Sequence, residues 1–165
     1  MTPSSDRIVY RPLKKHELIS AARLKFSVIA EAWAPHVYPI RQLLTRRSPE
    51  SEARGNLPIW RRGRVFGAFA SGTLVGVSRA IFGYHNEVSD LWVFAPSREC
   101  GIGSMLFGRA EAELRRRGIR TARLYTAAFN SHAIAFYRAR GWRIERRNMH
   151  RTSHVRRVRM IKRLR

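Results

Sequence analysis

At 165 residues the chain has the length of one domain, and a composition of 44% hydrophobic and 10% aromatic residues is sufficient for a packed core. Its 33 Lys and Arg residues outnumber 11 Asp and Glu residues, so the formal net charge is +22. Such a charge attracts phosphate-bearing partners, and the hydrophobic content excludes a disordered basic tail. The single cysteine, Cys100, excludes an internal disulfide framework, and no apolar run approaches the roughly 20 residues that cross a bilayer. We therefore expect one cytoplasmic domain over residues 1–165, without a membrane partner.

The apolar spacing along the first half of the chain predicts strands around one helical region. In chain order we expect a strand at residues 8–13, one helix or a broken pair at 16–33, a loop or short helix at 46–55, and strands at 65–70, 74–82 and 87–94. The turn Ser71-Gly72 joins two of these strands into a β-hairpin.

After Pro96 the apolar spacing changes to that of a helix. We expect a helix at residues 101–117, a strand at 121–126, a short helix at 131–140, and closing strands at 142–147 and 155–164. Gly118 and Gly141 are helix-ending residues. Hairpin strands, then alternating strands and helices, then a final hairpin predict an α/β fold with a mixed sheet and helices on both faces.

The segment that joins the strand at 87–94 to the next helix is rich in glycine. Gly101 and Gly103 let the backbone bend with its amides pointing inward, and the helix that starts there adds about half a positive charge. Such a loop is either an anion site suited to a pyrophosphate or only a tight turn. The GxxxxGK[ST] loop of nucleoside-triphosphate sites is absent, and Leu106 stands where the dinucleotide pattern needs its third glycine.

Two motifs at a fixed separation resemble one known family. The run LWVFAP at residues 91–96 leads into Arg98-x-x-Gly101-x-Gly103, and about thirty residues later stand Asn130, Ala133, Phe136, Tyr137, Gly141 and Trp142. This order and spacing resemble the GNAT superfamily of acetyl-CoA-dependent N-acetyltransferases. The resemblance is strong over roughly residues 74–142 and implies a GNAT-like acyl-CoA N-acyltransferase fold, with a central mixed β-sheet flanked by helices. It also implies acetyl-CoA as co-substrate and an amine acceptor that the sequence does not name.

The resemblance assigns expected roles to individual residues. A main-chain amide near Val93 is expected to stabilise the oxyanion, and Asn130 to bind the pantetheine arm or cap the short helix. Tyr137 is the expected general acid, or it only packs the helix against the sheet. The pyrophosphate is expected on the backbone amides of Arg98, Glu99, Cys100, Gly101, Ile102, Gly103 and Ser104.

Glu99 departs from the family pattern, because family members commonly carry glycine directly after the Arg or Gln of this loop. The side chain brings a negative charge close to the expected pyrophosphate. A solvent-facing orientation would cost little, whereas an inward orientation would weaken coenzyme binding.

The attacking amine must lose a proton, and Glu87 and Asp90 are the acids in or beside the strand that leads to the loop. Strand alternation places Glu87 on the same face as Leu91 and Val93, and Asp90 on the other. Glu87 matches a position that serves as base in some family members, so we prefer it. Asp90 and a water molecule remain alternatives, and either acid could simply pair with an arginine.

The last 23 residues hold ten Lys and Arg residues and one acid, Glu145. A β-hairpin would spread these cations over both faces, which suggests a phosphate-contact surface. The alternative function is therefore a nucleic-acid-binding or ribosome-associated protein on the same scaffold. His150 and His154 lack neighbouring carboxylates and cysteines, so we expect no metal site. Oligomeric state stays open, a homodimer included.

Overall fold

One seven-stranded sheet organises the protein. The computed structural model describes residues 8–33, 36, 48–83, 85–151 and 154–165. Its elements are β1 (Val9–Pro12), α1 (Leu18–Ala32), α2 (Pro49–Trp60), β2 (Arg64–Ala70), β3 (Thr73–Ile81), β4 (Glu87–Val93), α3 (Ile102–Arg116), β5 (Thr121–Ala127), α4 (Ser131–Arg138), β6 (Arg143–Met149) and β7 (Arg156–Arg163). Short 3₁₀ turns at Lys15–Glu17 and Ala95–Ser97 precede α1 and α3.

The sheet has the strand order β1-β2-β3-β4-β5-β7-β6. Every neighbouring pair is antiparallel except β4 and β5, which are parallel. Parallel neighbours require a crossover, and α3 supplies it between β4 and β5. The predicted mixed α/β sheet is thereby confirmed.

Helices pack on both faces of the sheet and bury two large cores, beside a small cluster of Ala127 and Val155. On one face, α3 contributes Leu106, Phe107 and Leu114 to a core with Leu124 of β5 and Met160 of β7. On the other face, α1 packs with α2 over β2 and β3, around Leu18, Val28, Trp60, Val65 and Val77. We refer to these as the α3 face and the α1 face. No helix among the described residues is long and apolar enough to cross a membrane.

The helices resolve two alternatives that the sequence left open. Residues 18–32 form one continuous helix, α1, rather than a broken pair. The segment that was either loop or helix forms α2 from Pro49, because the Ser48 hydroxyl accepts the Ser51 N–H (3.1 Å) as an N-cap and proline suits the first helical turn. Residues 46 and 47 lie outside the described part of the chain.

Candidate active site

An opening between β4 and β5 is the central feature of the sheet. Within the described sheet these strands pair at one position, where Glu87 lies opposite Arg123 and the Arg123 N–H donates to the Asn86 carbonyl (3.0 Å). From there towards their C-terminal ends, β4 pairs with β3 and β5 pairs with β7. Beyond the Glu87 position, the backbone N–H and carbonyl groups on the facing edges of β4 and β5 do not pair with each other. They are therefore available to hydrogen-bond another molecule.

A β-bulge in β4 changes the faces that its side chains occupy. On β3 the single residue Ser78 faces two residues of β4, Asp90 and Leu91, and Asp90 has a left-handed φ of 53°. Asp90 consequently lies on the α1 face, as Glu87 does, whereas Leu91 lies on the α3 face. The prediction that Glu87 shares a face with Leu91 and Val93, opposite Asp90, was wrong because regular alternation does not allow for the extra residue.

The hydrogen bonds of β4 direct the Val93 amide into the opening. The Phe94 N–H donates to the Val75 carbonyl of β3 (2.9 Å), so the adjacent pair, Val93 and Gly76, has no bond across this ladder. The N–H and carbonyl of Val93 therefore point away from β3, towards β5. The Val93 carbonyl accepts from Arg98 Nε (3.0 Å), which leaves the amide facing the opening.

The loop before α3 has two residues with left-handed backbone, Glu99 (φ 65°) and Gly101 (φ 74°). Gly101 is the N-cap of α3, and a methyl group added there would contact nothing within 4 Å. Glycine is therefore favoured at this position by its left-handed backbone angle and not by a lack of space. The first-turn amides of α3 have no acceptors within the helix. The Glu99 side chain is exposed and the first turn of α3 holds no acid, so the positive end of the helix dipole lies at this loop.

Arg140 brings a guanidinium to this loop, and the sequence analysis missed it. Its side chain stacks on the Phe136 ring (3.6 Å to the centroid) and donates to the Phe136 carbonyl (3.0 Å). It also donates to the Ser104 hydroxyl in the first turn of α3 (2.5 Å). The four-residue spacing between Phe136 and Arg140 at the end of α4 was the available signal, but the contact with Ser104 depends on how α3 and α4 pack.

Tyr137 lies on the α3 face, packed against the rings of Phe107 (5.2 Å between centroids) and Phe136 (5.4 Å). Its burial raises the pKa of the phenol to about 12, so the hydroxyl holds its proton throughout the physiological range. Asn130 caps α4, since its Oδ1 accepts the Ala133 N–H (3.0 Å). The amide NH₂ of Asn130 is not used by this cap.

Glu87 and Asp90 differ in how strongly nearby cations hold them. Burial raises the pKa of Glu87, and its contact with Arg123 Nε is long, at 4.0 Å. Burial also acts to raise the pKa of Asp90, but Lys25 (3.0 Å) and Arg79 (2.7 Å) outweigh it and hold that pKa below its usual value. Asp90 thus joins α1 to the sheet through a buried ion cluster, whereas Glu87 is the carboxyl better suited to gain and lose a proton.

The C-terminal Lys and Arg side chains lie on both faces of β7 and at its ends. Arg157 and Arg159 project on the same face as Glu87, whereas Lys162 pairs with Glu111 of α3 on the opposite face (2.9 Å). Beside the last turn of α3 lies a cavity of about 520 Å³, at the end of that helix opposite the glycine loop. Its lining includes the cations Arg115, Arg143, Lys162, Arg163 and Arg165.

The split parallel pair, the glycine loop at a helix N-terminus and the buried tyrosine all lie in the part of the chain that matches a known family. The profile of the acetyltransferase (GNAT) family matches residues 34–142, which is more than half of the sequence. The chain therefore belongs to the acetyltransferase (GNAT) family.

Known proteins agree with this membership. The N-acetyltransferase from Staphylococcus aureus Mu50 superposes with a TM-score of 0.73 at 19% identity, over 97% of this chain and 100% of that one. The PaiA N-acetyltransferase from Thermoplasma acidophilum, solved in complex with coenzyme A, gives 0.67 at 23% identity, over 95% and 99%. An uncharacterized protein of Bacillus subtilis (strain 168), YxbD, is 46% identical over 46 residues, which are 28% of this chain and 29% of YxbD. The two structural likenesses show the fold.

Proposed function

We propose that this protein transfers the acetyl group of acetyl-CoA directly to the amine of an acceptor. The observation that carries the proposal is the Val93 amide, which faces the β4–β5 opening and lies on the strand that leads to the glycine loop. An extended pantetheine arm can then lie along the edge of β4. Its acetyl carbonyl would accept from the Val93 N–H, the donor that stabilises the oxyanion.

The glycine loop and the first turn of α3 are proposed to bind the pyrophosphate. The Arg98 amide already donates to the Ala95 carbonyl (3.1 Å), so the amides of residues 99–104 are the donors at this helix N-terminus, where phosphate groups are bound by backbone N–H groups and by the helix dipole. Arg140 adds a positive charge beside Ser104. The free NH₂ group of Asn130 is available to a carbonyl of the pantetheine arm.

Glu87 and Tyr137 are proposed to exchange the protons of the reaction. Glu87 takes a proton through a chain of water molecules as the amine nitrogen forms its bond to the acetyl carbon, because Glu87 begins β4 and Val93 ends it, roughly 15–20 Å away. The C–S bond then breaks, and the departing thiolate takes the phenol proton of Tyr137. The two groups lie on opposite faces of the sheet with the opening between them, which suits a base for the acceptor and an acid for the thiol.

The proposal is tested by calorimetric titration with acetyl-CoA and by thiol release in the presence of primary amines. We expect saturable binding, and thiol release that depends on an amine and is slowed in Tyr137→Phe. Arg138→Gln is a matched control, because its exposed side chain is the next one along α4. Absence of acetyl-CoA binding, or equal rates in Tyr137→Phe and the wild type, would contradict the proposal.

RNA or ribosome association, a homodimer, a cytoplasmic location and a single domain over residues 1–165 stay predictions from the sequence. RNA binding would weaken steeply between about 50 and 200 mM salt and would depend on the C-terminal arginines. A flat salt dependence would contradict it.

A further inference from the structure

Two neighbouring strands, β5 and β7, present arginine side chains on the face of the sheet that holds Glu87. Arg123 of β5 lies opposite Glu87, and Tyr125 follows two residues later on the same face. On β7, Arg159 lies opposite Tyr125, and Arg157 lies opposite Ala127. We call Arg123, Tyr125, Arg157 and Arg159 the arginine wall. It begins at Glu87 and borders the β4–β5 opening on the α1 face.

The cations of this wall differ in whether a carboxylate neutralises them. Arg159 is paired with Glu145, and Arg123 has a long contact with Glu87. Arg157 makes its direct contacts with neutral groups, since it donates to Asn148 Oδ1 (2.9 Å) and stacks on the Tyr125 ring (4.2 Å to the centroid), and it acts on the Glu87 carboxylate only through its field. Among the described side chains, no carboxylate lies within ion-pair distance of Arg157.

The sequence limits what could neutralise Arg157 elsewhere. Nine of the eleven acids lie among the described side chains, and the other two are Asp6 and Glu52. The segment 37–47, which follows α1, adds three arginines and no acid. Arg157 is also half-buried, held by Asn148 and Tyr125 in a fixed position, so it is a preorganised cation rather than a mobile surface charge.

We propose that the acceptor carries a carboxylate or phosphate group close to its reactive amine, and that Arg157 binds this anion while the amine lies in the β4–β5 opening. The inference rests on the proposed acetyl transfer and narrows its substrate class. A guanidinium offers two parallel N–H donors that match both kinds of oxyanion. The same positive field lowers the pKa of the bound amine, which favours the unprotonated nucleophile. It repels polyamines, whose charges are all positive.

Pairs of acceptors that differ only in the anion test the substrate class. Thiol release from acetyl-CoA is measured with free α-amino acids and their carboxamides, and with O-phosphoethanolamine and ethanolamine, while spermidine serves as the polycation. We expect the anionic member of at least one pair to have a kcat/KM about ten- to a hundred-fold higher than its neutral partner. Which pair shows the preference distinguishes a carboxylate from a phosphate.

Variants of neighbouring arginines test the assignment to Arg157. Arg157→Gln should lower the ratio of kcat/KM for the anionic acceptor to kcat/KM for its neutral partner to about one. Arg156→Gln is the matched control, because it removes the same charge from an exposed side chain one residue away, on the opposite face of β7. Arg157→Lys keeps the charge and should retain part of the preference, which also guards against a folding defect in the Gln variant.

The outcomes separate the inference from the proposed function. A wild-type preference for neutral acceptors or spermidine overturns the inference, as does equal loss in Arg156→Gln and Arg157→Gln. Acetyl-CoA binding without turnover of any anionic acceptor also overturns it and leaves coenzyme binding standing. Failure to bind acetyl-CoA overturns the proposed function itself.

Discussion

Replacing Glu99 by glycine should improve two properties of the protein at once. Glu99 stands in the glycine loop with a φ of 65°, in the left-handed region that favours glycine. Its exposed carboxylate also lies next to the turn that is proposed to bind the coenzyme diphosphate. Glu99→Gly removes both the backbone strain and the charge, whereas Glu99→Gln removes the charge alone.

The two effects have separable magnitudes. The left-handed backbone costs a non-glycine residue about 1–2 kcal/mol. Glycine removes this cost but lowers stability by about 0.4–1 kcal/mol, because it raises the conformational entropy of the unfolded chain. Glu99→Gly should therefore raise the free energy of unfolding by about 0.5 kcal/mol, or Tm by about 1–2 °C. A unit charge about 10 Å from a diphosphate of two charges interacts by about 0.8 kcal/mol in water, so loss of the carboxylate should tighten acetyl-CoA binding about four-fold.

Thermal melts and calorimetric titrations at low salt test this pair of effects. Both variants should bind acetyl-CoA more tightly, and the gain should shrink as added salt shortens the Debye length. Glu99→Gly alone should raise Tm. Glu50→Gln in α2 is the control for loss of one negative charge. Unchanged affinity in both Glu99 variants, or the same gain in Glu50→Gln, would refute the proposed position of the diphosphate.

Five further substitutions test the site and the fold. Tyr137→Phe should lower kcat by about 100-fold or more with acetyl-CoA affinity unchanged, as measured by thiol release and calorimetry; an unchanged kcat would exclude the phenol as acid. Glu87→Gln should lower kcat similarly yet stabilise the fold at pH 7, because folding raises the pKa of this carboxyl. Its stability advantage should appear as the pH rises through the interval between the ordinary and the raised pKa, and an advantage confined to lower pH would contradict that sign. Asp90→Asn should lower the free energy of unfolding in urea by about 3–5 kcal/mol, since it leaves buried cations unpaired; wild-type stability would contradict the ion cluster. Gly101→Ala should destabilise by about 1 kcal/mol, whereas Gly108→Ala inside α3 should stabilise by about 1 kcal/mol, and effects of the same sign would contradict the assigned backbone angles.

The sequence predicted the elements whose local patterns are strong. The strand that ends in LWV, the glycine loop and the next helix lie where apolar spacing and glycine placed them. The α1 helix and the final hairpin also follow from their spacing. The loop motif and the Asn130 motif were informative together because their separation matches that of a known family. The spacing of apolar residues alone did not point to that family.

The features that the sequence did not predict depend on contacts between distant segments. At the bulge, Ser78 on the neighbouring strand faces both Asp90 and Leu91. The order of residues within β4 alone does not reveal this pairing. The contact between Arg140 and Ser104 joins residues 36 positions apart. That no carboxylate among the described side chains forms an ion pair with Arg157 likewise becomes visible only when β5, β6 and β7 are side by side.

Calorimetric titration with acetyl-CoA at about 300 mM salt tests the proposed use of the β4–β5 opening most directly, because at that ionic strength the general attraction of a +22 protein for phosphates is largely screened. One acetyl-CoA should bind per chain, in competition with coenzyme A. Binding that is not stoichiometric, or that is lost at this salt concentration, would contradict a coenzyme site in this opening. Any affinity at lower salt would then be due to the net charge alone.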